Sequence, residues 1–442
     1  MLVNVHKHNI FLLLLVAALA FPAKAQVWTL QQSIDTAMVN NRNLQIGRNT
    51  TAISQYKHQE ARANLIPKLH ANADYRYYTN LPYQLMPMSV FGGQEGQFKE
   101  AQFGVPHNIN ANVQLTMPLY NSQVQGAIKT TEIASELTAL QYRKTEERVY
   151  LEVANLYYNA QILKNQLAFI DSNLVNSLQL LKNMQLLKEQ LLAKGSDVNK
   201  VALQTEQLAT QRELINSNYE QVLNALKFTM GLSLATELDI DPSISYHTET
   251  AYTETLTTDV QVAQVQTKLH SSELTTLQRS KLPSLSLYGT YGTTGFGYDQ
   301  SPNNFLKFYP IGFAGVQLSL PLFNGTVTQQ KISQKKLELA NSELQLREQT
   351  EQNSMQVENA RKQRQVAQQT VTNNLSQIEL AKSVYEQTLL QQKHGVASLT
   401  DVLLADNTLR EAQQNYLSAM VNYLKADLEL KHLTGNILNS KP

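Results

Sequence analysis

The sequence predicts a mainly α-helical chain with a membrane β-barrel portion: long antiparallel helical hairpins plus four strands per protomer. Three observations carry this. Residues 315–325, GVQLSLPLFNG, nearly repeat residues 112–122, NVQLTMPLYNS, with six of eleven positions identical and a constant offset of 203. Long stretches almost free of Gly and Pro carry apolar residues at alternating spacings of three and four, the spacing of packed helices. Shorter stretches before them alternate polar and apolar residues, the period of a strand with two unlike faces.

Taken in order, the chain opens with a secretory signal. Lys7 lies in a weakly basic start, residues 10–20 are apolar, and Ala23-Lys24-Ala25 is a small-x-small cleavage site, so the mature chain is expected to begin at Gln26. The apolar run is shorter than the roughly 20 residues that span a bilayer. Removing residues 1–25 leaves 35 Lys+Arg of the original 37 against 36 Asp+Glu. A net charge this close to zero argues against a nucleic-acid partner. The absence of cysteine excludes disulfides, thiolate catalysis, thiolate metal sites and an acylated N-terminal cysteine. Beyond the signal no apolar run suits a transmembrane helix, so membrane insertion requires a β-barrel.

Residues 26–231 form a first structural repeat. A helical stretch is broken at Pro67. Strands follow at about 69–79 and 109–117, separated by a loop over 81–107 and closed by Pro118. On the first strand Leu69, Ala71, Ala73, Tyr75 and Tyr77 alternate with His70, Asn72, Asp74 and Arg76. A helix over about 121–193 has a seam through Val149, Val153, Leu156, Ala160, Leu163 and Leu167, and ends where Gly195 suits a left-handed C′ position. A return helix reaches Met230. Residues 232–256 lose the period and read as a connector, and Asp239-Ile-Asp241-Pro fits a turn there better than a calcium loop. Residues 257–435 repeat the plan: strands at about 284–293 and 312–320 around a Gly- and aromatic-rich loop, a helix over 326–393, a turn at Gly395, and a last helix to Leu433. Residues 436–442 are a tail.

Four strands cannot close a barrel, and an open edge in lipid leaves backbone groups unsatisfied at several kcal/mol each. Closure must therefore come from several copies, and three give twelve strands, an even number within the range of such barrels. A water-soluble sandwich joined to a coiled coil is the alternative. Against it, the first strand carries His70, Asp74 and Arg76 on one face and Tyr75 and Tyr77, suited to a membrane-interface girdle, on the other.

The signal, the repeat, the P-L-[YF]-N junction and the ending GVASLTDVLLADNTLREAQQNY together resemble outer-membrane efflux proteins of the TolC type, over about residues 27–435. The resemblance implies a homotrimer with a 12-stranded barrel in the outer-membrane lipid of a Gram-negative bacterium and a helical tunnel across the periplasm. It also implies docking to a periplasmic adaptor (membrane fusion) protein that links the duct to an inner-membrane pump. The expected function is the exit duct of a tripartite pump for drugs or toxic small molecules. The alternatives are a type I protein-secretion duct or, in another class, a soluble periplasmic coiled-coil scaffold or adaptor.

Within that resemblance, the two hairpin turns at the expected periplasmic tip are candidates for adaptor docking: Lys194, Gly195, Ser196 and Asp197, and Lys393, His394, Gly395, Val396, Ala397 and Ser398. Tight helical hairpins alone would also call for glycine there. Asp401 stands where the family commonly has an acid near the pore constriction, and three copies would form a carboxylate ring that attracts cations. The stretch Ser398-Leu-Thr-Asp401 equally reads as a capping box. The chain departs from the pattern nearby, with Leu404 where some members have a second acid and Ala397 where some have an arginine. Pro118, Leu119, Tyr120 and Pro321, Leu322, Phe323 mark two strand-to-helix junctions, with each proline expected at a helix's first turn and its neighbours filling the joint. Catalytic signals are poor: the histidines are dispersed with no HExxH, and GTYGTTGFG over 289–297 has the wrong spacing for a phosphate loop. No enzyme activity, cofactor or metal is expected.

Overall fold

The computed structural model describes residues 27–244, 252–302 and 304–438. The expected signal over 1–25 and the start at Gln26 lie outside them, as do residues 245–251 of the connector and 439–442 of the tail. Among the described residues the elements are β1 (Val27–Trp28), α1 (Leu30–Asn40), α2 (Arg42–Ala63), β2 (Lys68–Tyr77), β3 (Tyr83–Pro87), a 3₁₀ turn (Met88–Phe91), β4 (Phe98–Gln102), β5 (His107–Tyr120), α3 (Ser122–Glu189) and α4 (Gly195–Thr229). There follow β6 (Asp239–Ile240), α5 (Thr258–Arg279), β7 (Ser284–Tyr298), β8 (Phe305–Ser319), α6 (Val327–Lys393) and α7 (Leu399–Leu433). The chain divides into two compact units. A helical unit takes residues up to Thr50, Leu140–Val262 and those from Arg347 onward; a strand unit takes Thr51–Ala139 and Ala263–Leu346. Each therefore draws on both sequence halves.

In the helical unit, Thr29 opens α1 through a capping box with Gln32. Asn41 separates α1 from α2: its Oδ1 accepts from Asn43 N at 2.8 Å, and its Nδ2 donates to Thr229 O at 2.7 Å, so one buried amide caps a helix and ties it to the end of α4. The largest core gathers Ile34, Leu44, Val149, Val153, Tyr157, Leu226 and Met230. Tyr157 donates to Trp28 O at 2.8 Å beside the short parallel pairing of β1 with β6, and burial pushes its phenol up to about 12, so it remains a donor. Lys164 Nζ donates to Asp239 Oδ1 at 2.5 Å and to Ile240 O at 2.8 Å, holding the start of the connector. The seam through Val402, Ala405, Leu409 and Ala412 of α7 is buried as its spacing predicts.

The strand unit holds an antiparallel four-stranded sheet in the order β2-β5-β7-β8. Paired residues share a face, so the register defines both surfaces. One is largely apolar, as in the rows Leu69–Leu115–Gly289–Ala314 and Ala71–Val113–Tyr291–Gly312, with Thr293 and His107 as its polar exceptions. On the other, three successive rows run from polar to apolar: His70–Gln114–Thr290–Phe313, Asn72–Asn112–Gly292–Ile311 and Asp74–Asn110–Thr294–Tyr309; the next, Arg76–Asn108–Phe296–Lys307, ends in a lysine. Several glycines make room for rings of the neighbouring strand. A Cβ at Gly315 would lie 2.9 Å from the Tyr288 ring, one at Gly312 3.0 Å from Tyr291, and one at Gly295 2.6 Å from Phe308.

Three expectations change. The loop expected over 81–107 contains the hairpin β3–β4, whose composition (Pro, Gly, Met, Phe) hid a weak alternation. The Gly- and aromatic-rich loop expected over 294–309 is mostly strand, because β7 reaches Tyr298 and β8 starts at Phe305. Pro118 does not close a strand: β5 runs to Tyr120, with a register irregularity between Pro118 and Tyr120. Past Thr116 the β2 side of the strand has no partner, where a residue without an N–H is tolerated.

Glu147, 5 % exposed, anchors a buried polar cluster in the helical unit. Its Oε1 accepts from the Thr258 hydroxyl and faces Arg143 Nε at 3.8 Å, and its Oε2 lies 3.7 Å from His432 Nε2. The Glu147 carboxylate holds the His432 imidazole above its ordinary range, against burial, with Glu429 and Asp259 adding to the attraction. A raised folded pKa means that this stabilisation is complete below the unfolded value of about 6.5 and is lost as pH rises through the folded one. The thermal midpoint of the helical circular-dichroism signal should therefore fall from about pH 6 to about pH 9, and His432→Gln should flatten that slope. An unchanged slope in the variant would remove His432 as its source.

Candidate functional site

The two turns that join the helical hairpins have the same backbone design. At the end of α3, Leu192 N donates to Leu187 O at 2.8 Å and Leu191 N to Lys188 O at 2.9 Å. At the end of α6, Val396 N donates to Gln391 O at 2.9 Å and Gly395 N to Gln392 O at 3.0 Å. Each is a Schellman motif. The left-handed position is Gly395 in one turn, with φ 73°, and Leu191 in the other, with φ 62°. Gly195 is therefore not the C′ residue expected from its match to Gly395. It is the first residue of α4, and the equivalent of Gly395 is Leu191, four residues earlier. The structural offset between the turns is 204, pairing Lys194 with Ser398 as N-cap residues and Asp197 with Asp401 as first-turn acids.

The paired positions differ in chemistry. Ser398 and Asp401 form a complete capping box: Asp401 N donates to Ser398 Oγ at 3.2 Å, and Ser398 N donates to Asp401 Oδ2 at 2.9 Å. Ser398 Oγ also donates to Asp401 Oδ2 at 2.6 Å, and this bond first, with the one from Ser398 N, holds the exposed Asp401 carboxyl below its ordinary range. Lys194 makes no side-chain cap, and Asp197 instead meets Lys200 Nζ at 3.5 Å. Beneath the turns, Met184, Val198 and Val201 form a small core against which Leu399 and Leu403 of α7 pack. Gln204 Nε2 donates to Asp406 Oδ2 at 2.6 Å and Arg410 Nη2 lies 2.8 Å from the same oxygen, so the two hairpins are linked within one chain. Burial pushes the Asp406 carboxyl up, and Arg410 opposes the shift. The turns expose apolar side chains: Leu191 is 93 % exposed, Leu192 72 % and Val396 78 %. Lys393, His394 and Ser196 are exposed as well, while Gly195 and Ala397 are partly covered.

The two strand-to-helix junctions, alike in sequence, are unlike in structure. At the first, β5 passes into α3 with only Asn121 between, and Asn121 Oδ1 caps the helix by accepting from Gln123 N at 2.9 Å. At the second, residues 320–324 belong to no strand or helix, Gly325 and Thr326 take φ 66° and 68°, and α6 starts at Val327. Neither Pro118 nor Pro321 lies in a helix's first turn as expected. Leu119 and Tyr120 are 47 % and 39 % exposed; Leu322 and Phe323 are 87 % and 84 % exposed, so within one chain they fill nothing.

Residues 255–436 match the family model described as outer membrane efflux protein. Over 453 aligned positions the chain is 21 % identical to the outer membrane protein TolC of Salmonella enteritidis, covering 94 % of this chain and 84 % of that one. It superposes on the Campylobacter jejuni CmeC outer membrane channel with a TM-score of 0.76 at 14 % identity, covering 92 % of this chain and 85 % of CmeC. The fold is that of the TolC-type outer-membrane efflux proteins. VceC of Vibrio cholerae gives 0.74 at 14 % identity over 92 % and 96 % of the two chains, and the open state of Neisseria gonorrhoeae MtrE gives 0.72 at 18 % over 92 % and 89 %. No described helix is long and apolar enough to cross a membrane.

The turn geometry makes a paired prediction. A non-glycine residue in the left-handed region costs about 1–2 kcal/mol. Leu191 is almost fully exposed, so Leu191→Gly should raise the stability of the folded protein by about 1 kcal/mol, and Gly395→Leu should lower it by about as much. Denaturant midpoints of the two variants should move in opposite directions from wild type.

Proposed function

We propose that the chain is the outer-membrane channel of a tripartite efflux pump, a homotrimer that gives small molecules such as drugs or toxic compounds a way out across the periplasm and outer membrane. The single observation that carries this is a four-stranded sheet with one largely apolar face and two edges, β2 and β8, unpaired among the described residues, in a chain of TolC-type fold. Three copies supply twelve strands, each β8 meeting the next copy's β2, and the apolar face turns to lipid. Long helical hairpins occupy the periplasm, and the hairpin turns meet a periplasmic adaptor that couples the duct to an inner-membrane pump.

The docking role rests on the exposed Leu191, Leu192 and Val396. A chain that holds leucine at a left-handed position and leaves it in water presents it to something else. Leu322 and Phe323 are read in the same way, as covered by the neighbouring copy. Asp401 caps α7 and, repeated three times, lines the constriction as a carboxylate ring. The duct carries out no chemistry; energy and cargo selection enter through the pump.

The reading is tested by fractionation and electrophysiology. The protein should be recovered from detergent-extracted outer membranes as a heat-modifiable trimer that conducts in planar bilayers; recovery in the soluble periplasmic fraction would overturn it. Leu322→Ser with Phe323→Ser should lower the temperature at which trimers dissociate, since each buried apolar side chain contributes about 1.5–3 kcal/mol. Asp401→Ala should weaken block of the open channel by divalent cations, and unchanged block would leave Asp401 a helix cap alone.

A further inference from the structure

The sheet face opposite the apolar one is not uniformly polar, and the departure is concentrated on β7 and β8. Three ring pairs lie there in succession along the strands. Tyr288 and Phe313 are 6.2 Å apart edge to face, Phe296 and Tyr309 are 6.1 Å apart and tilted, and Tyr298 and Phe305 are 6.3 Å apart and stacked. Phe313, Tyr309 and Phe296 are 52 %, 51 % and 37 % exposed. On β5, alongside the rings, the same face carries Asn108, Asn110, Asn112 and Gln114 in consecutive rows. Water in a duct gains nothing from rings of this size, and a face meant only to be wetted would continue the amides across.

The charges narrow what such a surface takes. Neither β7 nor β8 contains a carboxylate, and the one ionised side chain on the ring stripe, Lys307, lies over the Phe305 ring at 6.0 Å. The acid facing the stripe from β2, Asp74, is paired with Arg76 at 3.0 Å. Cations are therefore disfavoured beside the rings. We infer that the stripe is a contact track for neutral, planar, aromatic small molecules with polar edges: the flat face stacks on the rings of β7 and β8, and the edge groups exchange hydrogen bonds with the amides of β5. This rests on the channel reading, which closes the sheet with this face inward, and it adds a cargo preference located in the duct itself.

The test uses the full-length trimer in planar bilayers with caffeine, a soluble neutral planar heteroaromatic, as the probe and sucrose as the non-aromatic control. Caffeine should lower the open-channel current of wild type in a concentration-dependent way. The triple variant Phe296→Ser, Tyr309→Ser, Phe313→Ser should need about tenfold more caffeine for the same effect, given the strength of ring stacking, while Tyr309→Phe with Phe313→Tyr should behave as wild type. Sucrose should not distinguish the proteins. If the triple variant fails to assemble, Tyr309→Ser alone should shift the response about threefold. Equal caffeine responses in wild type and serine variants would overturn the track, which is also the result expected if a neighbouring copy covers the rings. A conducting wild type that ignores caffeine would overturn the track and leave the channel reading intact. A wild type that does not conduct would overturn both.

Discussion

The backbone hydrogen bonds that the sheet lacks constrain the rest of the molecule. β2 is paired along one side only, with β5, and β8 along one side only, with β7. In hydrocarbon those bare edges are untenable at several kcal/mol per group, yet the face that carries Leu69, Val113, Leu287 and Val316 suits hydrocarbon. On the proposed channel reading, the two demands are met when another copy supplies the missing partners. The nearly bare Leu322 and Phe323 beside the second junction support the same proposal.

Helices were the most legible part of the sequence. Their seams are long and regular, and a period sustained over many turns leaves little room for other readings, so α3, α4, α6 and α7 lie within a few residues of expectation. The strands were legible where one face is polar. Leu69 to Tyr77 alternates cleanly because β2 keeps a polar face and an apolar face apart along its whole length. β8 does not alternate: Leu306 and Phe308 stand on one face and Tyr309, Ile311 and Phe313 on the other, so a period-two search finds no strand before residue 312. The signal that could have found it is composition, since aromatic and β-branched residues favour strands whichever way they point.

The candidate site shows a different limit. Matching glycine to glycine placed the first hairpin turn one helical turn too late, because a left-handed C′ residue is a demand on φ that glycine meets most easily and leucine can also meet. The burial phase would have corrected it: Val198 and Val201 are buried as Val402 and Ala405 are, at an offset of 204. The junctions failed in the opposite sense. PLYN and PLFN look like one joint, yet Asn121 caps a helix at once while Asn324 precedes a short irregular passage through Gly325 and Thr326. Local sequence similarity preserved the residues without preserving their conformations.

The rings seated over glycines tie positions together in inheritance. Tyr288 fills the space above Gly315, Tyr291 that above Gly312, and Phe308 that above Gly295. A methyl group gained at any of these glycines must displace a ring, and a ring lost would leave bare backbone on the neighbouring strand. Neither member of a pair is free to drift while the other stays. Across related chains such positions should change together, so the sheet's register should be recoverable from sequence covariation, even along β8, where alternation says nothing.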